Sequence, residues 1–466
     1  MPAMTRSTRS GRPESNRSSR SDSASRRVSV GERPYGMAAG LVIFQIQPQQ
    51  IERTTIRRPR PTRHDPTRGS WPSAFGGAMY VVPDFPPSVQ IGFPVTPQRI
   101  GTAAEFSPDQ TQQMASSSAA STQAVLTDAA DRVDLDAARS LVAAHYGVDA
   151  VVTRLSGERD DNFRVDSDRG TWMLKVAHGA EARAVTEFQS EILAHLEGGK
   201  VSVPSVIPTV AGTSHEWLAD GPAAGRAIRM TTFSPGVLLR DVPLVPGLAR
   251  SIGCTVAELG LALADFRHPG ADVELLWDVQ QAHQTRKLVD DRPALPGEDI
   301  LRAGFDHFLE VGVPKLSGLP RQVIHNDANP DNILVESGEP PTISLVDFGD
   351  AVIAPRVVDL AVAASYHVGL PSAADQATPL GAATDVILGY VERTPLYDSE
   401  IELLHELLIA RVLTAITIAS WRAARFPDND DYILRNTASA WRRLEILQSA
   451  DRRTVTDDLL RRCAPR

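Results

Sequence analysis

The sequence predicts an α+β protein with a bilobal fold, in which a small β-rich lobe precedes a mainly helical lobe. Between residues 151 and 233, short apolar and β-branched runs alternate with turns, a pattern typical of strands. Beyond residue 246, apolar residues recur mostly at helical spacing. Ser234, Pro235 and Gly236 break both patterns, and we expect them to form a hinge between the lobes.

The first 130 residues show no lasting helical or strand periodicity and are scattered with Arg, Ser, Pro and Gly. Their apolar surface is too small to offset the entropy of ordering, so we expect residues 1–130 to form a disordered extension. Two alternatives are a transit-like peptide and an upstream reading frame that is not translated. We favour the last, with translation starting at Met114, because the following residues run directly into structured patterns. The small lobe is then expected over 131–234 and the helical lobe over 235–466.

The small lobe is predicted to open with a helix over 134–147, where Asp134 is a suitable cap. A second helix is predicted from Ala184 to about Glu197. Its apolar face consists of Phe188, Ile192, Leu193 and Leu196. Strands are predicted at 151–155, 162–166, 171–177, 202–209 and 226–233.

The helical lobe is expected to combine several helices with one β-hairpin. The hairpin strands are the apolar runs 333–335 and 343–346, joined by a turn rich in Gly and Pro. The helices are predicted at 246–266, 298–311, 356–368, 374–392, 400–425 and 430–449. The longest apolar stretch, from Ile401 to Phe426, carries several charged residues, which indicates a soluble helix rather than a membrane span.

Composition restricts the classes of function. The formal net charge of −9 gives no support to nucleic-acid binding. The two cysteines, Cys254 and Cys463, lie too far apart in sequence for a metal-ligand motif and suggest no disulfide framework. We therefore expect a cytoplasmic protein with neither nucleic-acid nor membrane partners.

Residues 323–350, VIHNDANPDNILVESGEPPTISLVDFGD, carry the strongest chemical signal. Asn332 precedes the first hairpin strand and Asp347 follows the second, so the hairpin brings them together. An amide oxygen and a carboxylate at one place suit Mg²⁺. Asp327, on the loop before Asn332, is then placed to accept the proton of an attacking hydroxyl while phosphate charge is neutralised. This order and spacing are typical of enzymes that transfer the γ-phosphoryl group of a nucleotide.

Lys175 is one of only four lysines in the chain, against 44 arginines. An ammonium group in the middle of an apolar strand is suited to nucleotide phosphates. Glu191, on the following helix, is the preferred ion-pair partner, and Glu187 is the competing one. The loop between the first two strands, where Ser156 and Arg159 lie, could contact phosphate oxygens.

Three further residues of the motif region have expected supporting roles. The ring of His325 is expected to hydrogen-bond to backbone and brace the catalytic loop. Asp350 could help to bind metal or substrate or could cap the next segment. Asp359 is expected to be a cap or an internal brace.

Together these residues resemble the aminoglycoside phosphotransferase/choline kinase family, whose fold is similar to that of protein kinases. The resemblance covers about 150–450 and is closest to the hydroxylysine kinase-like branch, through local stretches at 157–178, 325–366 and 426–445. One departure is Asn326, where the family usually has glycine.

The resemblance implies a small-molecule kinase. Asp327 would be the catalytic base, Asn332 and Asp347 the Mg²⁺ ligands, and Lys175 a phosphate ligand held by Glu191. The strand from Arg229 to Phe233 would meet the purine of ATP or GTP through backbone groups. These implied roles follow from the family and are carried over residue by residue.

The acceptor implied by the branch is a hydroxylated amino acid such as 5-hydroxy-L-lysine. The alternatives are an aminoglycoside, homoserine, or a silent nucleotide-binding regulator that transfers no phosphate. Candidates for the wall of the acceptor site are Asp350, Glu402, Glu406 and Arg411.

Overall fold

The computed structural model describes most of the chain beyond residue 131. The described ranges are 132–157, 159–291, 297–372, 378–427 and 430–464. The predictions for residues 1–130 lie outside the described residues.

The small lobe is a six-stranded antiparallel sheet with one helix on its face. The helix α1 spans Leu135–Tyr146 and is capped by Asp134, whose side chain accepts from the N–H of Ala137. The strands are β1 (Val151–Leu155), β2 (Asp161–Ser167), β3 (Gly170–Val176), β4 (Val206–Ile207), β5 (Glu216–Trp217) and β6 (Ala227–Thr232). They are ordered β1-β2-β3-β6-β4, with β5 also paired to β6. Phe163, Leu174 and Met230 are fully buried in the core that the sheet shares with α1.

The second helix of the small lobe, α2 (Arg183–Leu196), packs against the helical lobe. The apolar face predicted from the sequence is confirmed, since all four of its residues are buried. The ring of Phe188 stacks on Phe266 and on His268, with centroid distances of 6.2 and 5.5 Å. This contact fixes the rotation of α2 about its own axis.

The helical lobe follows the predicted order with several differences. Its helices are α3 (Leu248–Ala262), α4 (Ala282–Asp290), α5 (Glu298–His307), α6 (Val313–Leu316), α7 (Arg356–Ser365), α8 (Gly381–Val391), α9 (Asp398–Arg425), α10 (Asp430–Leu434), α11 (Thr437–Ser449) and α12 (Arg452–Cys463). The helices α4, α6 and α12 were missed. The predicted helix 430–449 is two helices, and part of the predicted helix 374–392 lies outside the described residues. In the part of the chain that the structure describes, no helix has the length and hydropathy needed to cross a bilayer.

The predicted hairpin is confirmed. Strands β9 (Ile333–Glu336) and β10 (Thr342–Leu345) pair in antiparallel register, with Leu345 opposite Ile333. The ladder continues into the loop, where the N–H of Val346 donates to the carbonyl of Asn332 at 3.0 Å. Asn332 therefore lies beside the residue that precedes Asp347. Three further short strands lie in the described part of this lobe. Strand β7 (Val237–Leu238) pairs with β9, and β8 (Arg321–Ile324) pairs with β11 (Val352–Pro355).

Candidate active site

A cavity of about 940 Å³ lies between the two lobes. Of the six residues predicted for the site, five line it, namely Ser156, Lys175, Asp327, Asn332 and Asp347. Its volume and its mixed polar and apolar lining are those of a small-molecule site.

Lys175 and Asp347 form an ion pair across the cavity. The ammonium of Lys175, on β3, donates to Oδ1 of Asp347 at 2.7 Å. Asp347 follows β10 with a left-handed backbone (φ 62°), a conformation that Asp tolerates better than most residues. Partial desolvation in the cleft would raise the pKa of Asp347. The cations Lys175, Arg159 and Arg229 outweigh that effect and hold the pKa well below its usual range.

Asp327 also lines the cavity and is held from two directions. Its Oδ1 accepts from the guanidinium of Arg411, on α9, at 2.8 Å. Its Oδ2 accepts from Nδ2 of Asn332 at 2.7 Å. Both oxygens are thereby oriented, and the side chain is still 17% exposed to the cavity.

The electrostatic environment of Asp327 makes it a candidate base. Partial burial raises the pKa of Asp327 to about 7, and the nearby carboxylates of Asp350 and Asp347 act in the same direction. The guanidinium of Arg411 acts against them. A carboxyl group with a pKa near neutrality is suited to accept and release a proton.

The loop that carries Asp327 is braced as expected. Nε2 of His325 lies 3.1 Å from the carbonyl of Val346, and Nδ1 accepts from the N–H of Asp327 at 3.2 Å. The buried carboxylate of Asp359 accepts from the N–H groups of His325 and Asn326 at 3.1 and 2.8 Å. Asp359 is thus an internal brace.

Asn326 explains the one departure from the family pattern. Its backbone has a φ of 63°, in the left-handed region that glycine enters without cost and that Asn enters more readily than most side chains. The residue is fully buried. The position therefore selects for backbone conformation, which accounts for the glycine usual in the family.

The predicted pair of Lys175 with Glu191 is not formed. The carboxylate of Glu191 lies 3.5 Å from Nε2 of His268 and is 62% exposed. Because successive helical residues are rotated by about 100°, Glu191 lies about 200° around α2 from Gln189 and from Leu193, which face the cavity. The packing of α2 on the helical lobe therefore turns Glu191 away from Lys175.

The loop between β1 and β2 reaches the helical lobe through Arg159 rather than Ser156. A guanidinium nitrogen of Arg159 lies 2.9 Å from Oδ1 of Asp350. Ser156 is exposed at the edge of the cavity. Arg159 is held among the carboxylates of Asp350, Asp160 and Asp347, and it remains protonated there.

Asn332 and Asp347 could together hold a divalent cation. The amide nitrogen of Asn332 is committed to Asp327, which leaves its oxygen as the donor atom for a cation. The low pKa of Asp347 keeps that carboxylate ionised. Among the described residues, no group of three or more His, Cys, Asp or Glu side chains has the arrangement of a metal centre. Two protein ligands fit Mg²⁺, which commonly completes its shell with phosphate and water oxygens.

The predicted wall residues divide into two groups. Asp350 and Arg411 line the cavity, whereas Glu402 is exposed and Glu406 pairs with Arg452 at 2.7 Å. Side chains that the sequence did not single out also line it, namely Trp277, Tyr366, Arg422 and Arg443. Their only sequence signal is that aromatic and basic residues recur within otherwise apolar helices.

The strand expected to meet the purine also lines the cavity. Both Arg229 and Phe233 face it. The N–H of Phe233 donates to the carbonyl of Thr171 at 3.2 Å, so this backbone donor is already used inside the small lobe. A purine would have to use other backbone groups of the segment.

A cleft between a β-rich and a helical lobe, lined by a Lys–Asp ion pair and by a second aspartate with a raised pKa, is typical of a phosphoryl-transferring enzyme of the kinase-like class. The model of the phosphotransferase enzyme family matches residues 151–396, more than half of the chain. The chain belongs to this family.

Individual relatives agree with the family. The chain is 24% identical to hydroxylysine kinase from Danio rerio over 316 residues, which is 65% of this chain and 88% of that protein. It is 30% identical to homoserine kinase from Afipia carboxidovorans over 185 residues, 38% of this chain and 52% of that protein. The structure of an amicoumacin kinase in complex with AMP-PNP, Ca²⁺ and Ami shares the fold. Its TM-score is 0.53 at 16% identity, covering 69% of this chain and 95% of that one. The chain is therefore a small-molecule kinase.

Proposed function

We propose that this kinase transfers the γ-phosphoryl group of Mg-bound ATP or GTP to a hydroxyl of a small amino-containing acceptor, with 5-hydroxy-L-lysine as the leading candidate. The observation that carries the proposal is the placement of Asp327. Its carboxylate, with a pKa raised to about 7, shares one cavity with the Lys175–Asp347 pair. A base and a phosphate-binding cation are thus available to one bound pair of substrates.

The proposed roles follow from what each side chain contacts. Asp327 accepts the proton of the acceptor hydroxyl, and the hydroxyl oxygen forms its bond to the γ-phosphorus as the bond to the β–γ bridging oxygen breaks. Lys175 contacts the phosphates of the nucleotide, which leaves as the diphosphate. Asn332 keeps Asp327 oriented through its amide nitrogen. Bound Mg²⁺ supplies charge neutralisation at the phosphate oxygens.

Two acceptors are supported by specific relatives. Hydroxylysine is favoured because the similarity to hydroxylysine kinases extends over most of their length. Homoserine is the second candidate, supported by a higher identity over a shorter span. A polycationic aminoglycoside is disfavoured by the cavity lining, which among the described residues contains nine Lys and Arg side chains and five Asp side chains.

The test is nucleotide consumption by the full chain with Mg-ATP and Mg-GTP. The acceptors are hydroxylysine, homoserine, ethanolamine, choline and an aminoglycoside. Turnover on hydroxylysine at a kcat/KM at least tenfold above the other acceptors would support the proposal. Stronger turnover on another acceptor would replace the proposed substrate. Tight nucleotide binding with no turnover on any acceptor would instead favour a silent regulator.

A further inference from the structure

Among the described residues, the charges that line the cavity are unequal, with nine basic and five acidic side chains. Each of the five lining aspartates already has a basic partner. Two further lining arginines, Arg442 and Arg443, lie on α11. An unbalanced guanidinium group in a partly buried site favours an anionic ligand, because leaving it without a counter-charge costs desolvation energy.

Arg443, on α11, is such a group. Its Nε is buried without a hydrogen-bond partner, and in the described ranges no carboxylate lies within ion-pair distance of it. Its guanidinium carbon lies 4.8 Å from the centre of the Tyr366 ring. Burial lowers the pKa of Arg443, and the positive charge of Arg411 acts in the same direction. A nearby anion would relieve both effects.

Arg443 is close to the proposed base. Arg411 donates to Asp327 at 2.8 Å and lies 3.4 Å from the hydroxyl of Tyr366. Arg443 packs over the ring of the same tyrosine. One side chain therefore separates Arg443 from the Asp327–Arg411 pair. An acceptor whose hydroxyl reached Asp327 could extend its other end along Tyr366 to Arg443.

We infer that Arg443, supported by Tyr366, forms a subsite for the carboxylate of the acceptor, and that the enzyme therefore takes a hydroxy amino acid rather than an amino alcohol. This inference rests on the proposed function. A guanidinium fork matches a carboxylate with two parallel hydrogen bonds, which an ammonium group cannot reproduce. The nucleotide phosphates are the other source of negative charge, but Lys175 and Arg159 already lie beside Asp347 on the phosphate side.

The first arm of the test needs no variant. It compares hydroxylysine with 1,5-diaminopentan-2-ol, and homoserine with 3-amino-1-propanol, since each pair differs only by the carboxylate. We expect the wild-type enzyme to prefer the carboxylated member by about tenfold or more in kcat/KM, the value of one strong charge-assisted contact. Equal kcat/KM within a pair would overturn the inference and leave the proposed phosphotransfer intact.

The second arm assigns the preference to Arg443. Arg443→Gln should raise the KM for the carboxylated acceptor by about tenfold or more, leaving the KM for the decarboxylated analogue and for the nucleotide unchanged. Arg443→Lys should recover part of the loss, because the charge remains but the fork is gone. Arg453→Gln, at a side chain 91% exposed on α12, is the matched control.

The remaining outcomes distinguish a failure of the Arg443 subsite from a failure of the proposed phosphotransfer. An equal loss on both members of a pair would show that Arg443 is structural, and a raised nucleotide KM would show that it binds phosphate. Either result would overturn the inference. If the folded protein phosphorylates none of the four acceptors, the proposed function fails. Calorimetric titration of the same pairs then decides the subsite, which stands only if the carboxylated member binds more tightly and Arg443→Gln removes the difference.

Discussion

The two aspartates Asp327 and Asp347 line the same cavity and each pair with a cation, but their pKa values shift in opposite directions. Asp347 lies 2.7 Å from the ammonium of Lys175, and Asp327 lies 2.8 Å from the guanidinium of Arg411. The pKa of Asp347 is held below its usual range, whereas the pKa of Asp327 is raised to about 7. The distance to the nearest cation does not explain this difference.

The wider surroundings explain it. Asp347 is also near Arg159 and Arg229, and several cations together outweigh its partial desolvation. Asp327 has Arg411 on one side but two carboxylates, Asp350 and Asp347, nearby, so its burial prevails. The combined charges thus keep the carboxylate of Asp347 ionised, which suits its proposed role as a cation ligand. They leave the pKa of Asp327 near 7, which suits its proposed role as a base.

Removing the proposed base should give the largest effect on turnover. Asp327→Asn keeps the shape of the side chain but cannot accept the proton, so we expect kcat to fall by about 10²- to 10⁴-fold. Nucleotide affinity should be nearly unchanged, because Asp327 contacts Arg411 and Asn332 rather than Lys175. Steady-state kinetics and nucleotide titration measure the two quantities. Asp168→Asn, at an exposed turn, is the control, and a loss in kcat below tenfold would contradict the assigned role.

The matching change at Asp347 should act mainly on the binding of the nucleotide. Asp347→Asn removes the charge that would hold a divalent cation and leaves Lys175 without its partner. We therefore expect the affinity for Mg-nucleotide to fall by about tenfold or more, with a smaller change for the metal-free nucleotide. Titration with and without Mg²⁺ tests this. An unchanged dependence on Mg²⁺ would remove Asp347 from the set of metal ligands.

The pH profile should reveal the difference between the two carboxylates directly. The proposed base, Asp327, can accept a proton only when it is deprotonated, so kcat/KM should rise with pH through about 7. Arg411 lowers the pKa of Asp327, so Arg411→Gln should move the midpoint of the rise in kcat/KM to higher pH by about one unit or more. Arg411→Lys retains the charge and should move it less. Circular dichroism shows which variants remain folded. If the rise in kcat/KM stays at the same pH in folded Arg411→Gln, the rise must be assigned to a group other than Asp327.

Sequence patterns predicted the part of this site that depends on residues close together in the sequence. Asn332 and Asp347 come together because a short hairpin joins them, and a hairpin is fixed by neighbouring residues. The ion pairs of Lys175 with Asp347 and of Arg411 with Asp327 join residues 172 and 84 positions apart. Periodicity tells which face of an element is buried but not which neighbour the face meets. For that reason Arg411 was only one of four candidates for the acceptor wall.

Glu191 shows the same limit and gives the smallest predicted effect. Its position on the helix after Lys175 predicts an ion pair between the two residues. The stacking of Phe188 on Phe266 and His268 sets the rotation of α2, and the face that carries Glu191 is turned away from the cavity. The carboxylate of Glu191 is 62% exposed and lies 3.5 Å from His268, and such a solvent-exposed contact contributes little, so Glu191→Gln should change kcat/KM by less than about twofold. Lys175→Met, measured beside it, should lose most of the activity. A comparable loss in both variants would mean that α2 rotates during turnover and that Lys175 exchanges Asp347 for Glu191 when nucleotide binds. Asp347 would then be freed from its ion pair at the step where a cation ligand is needed.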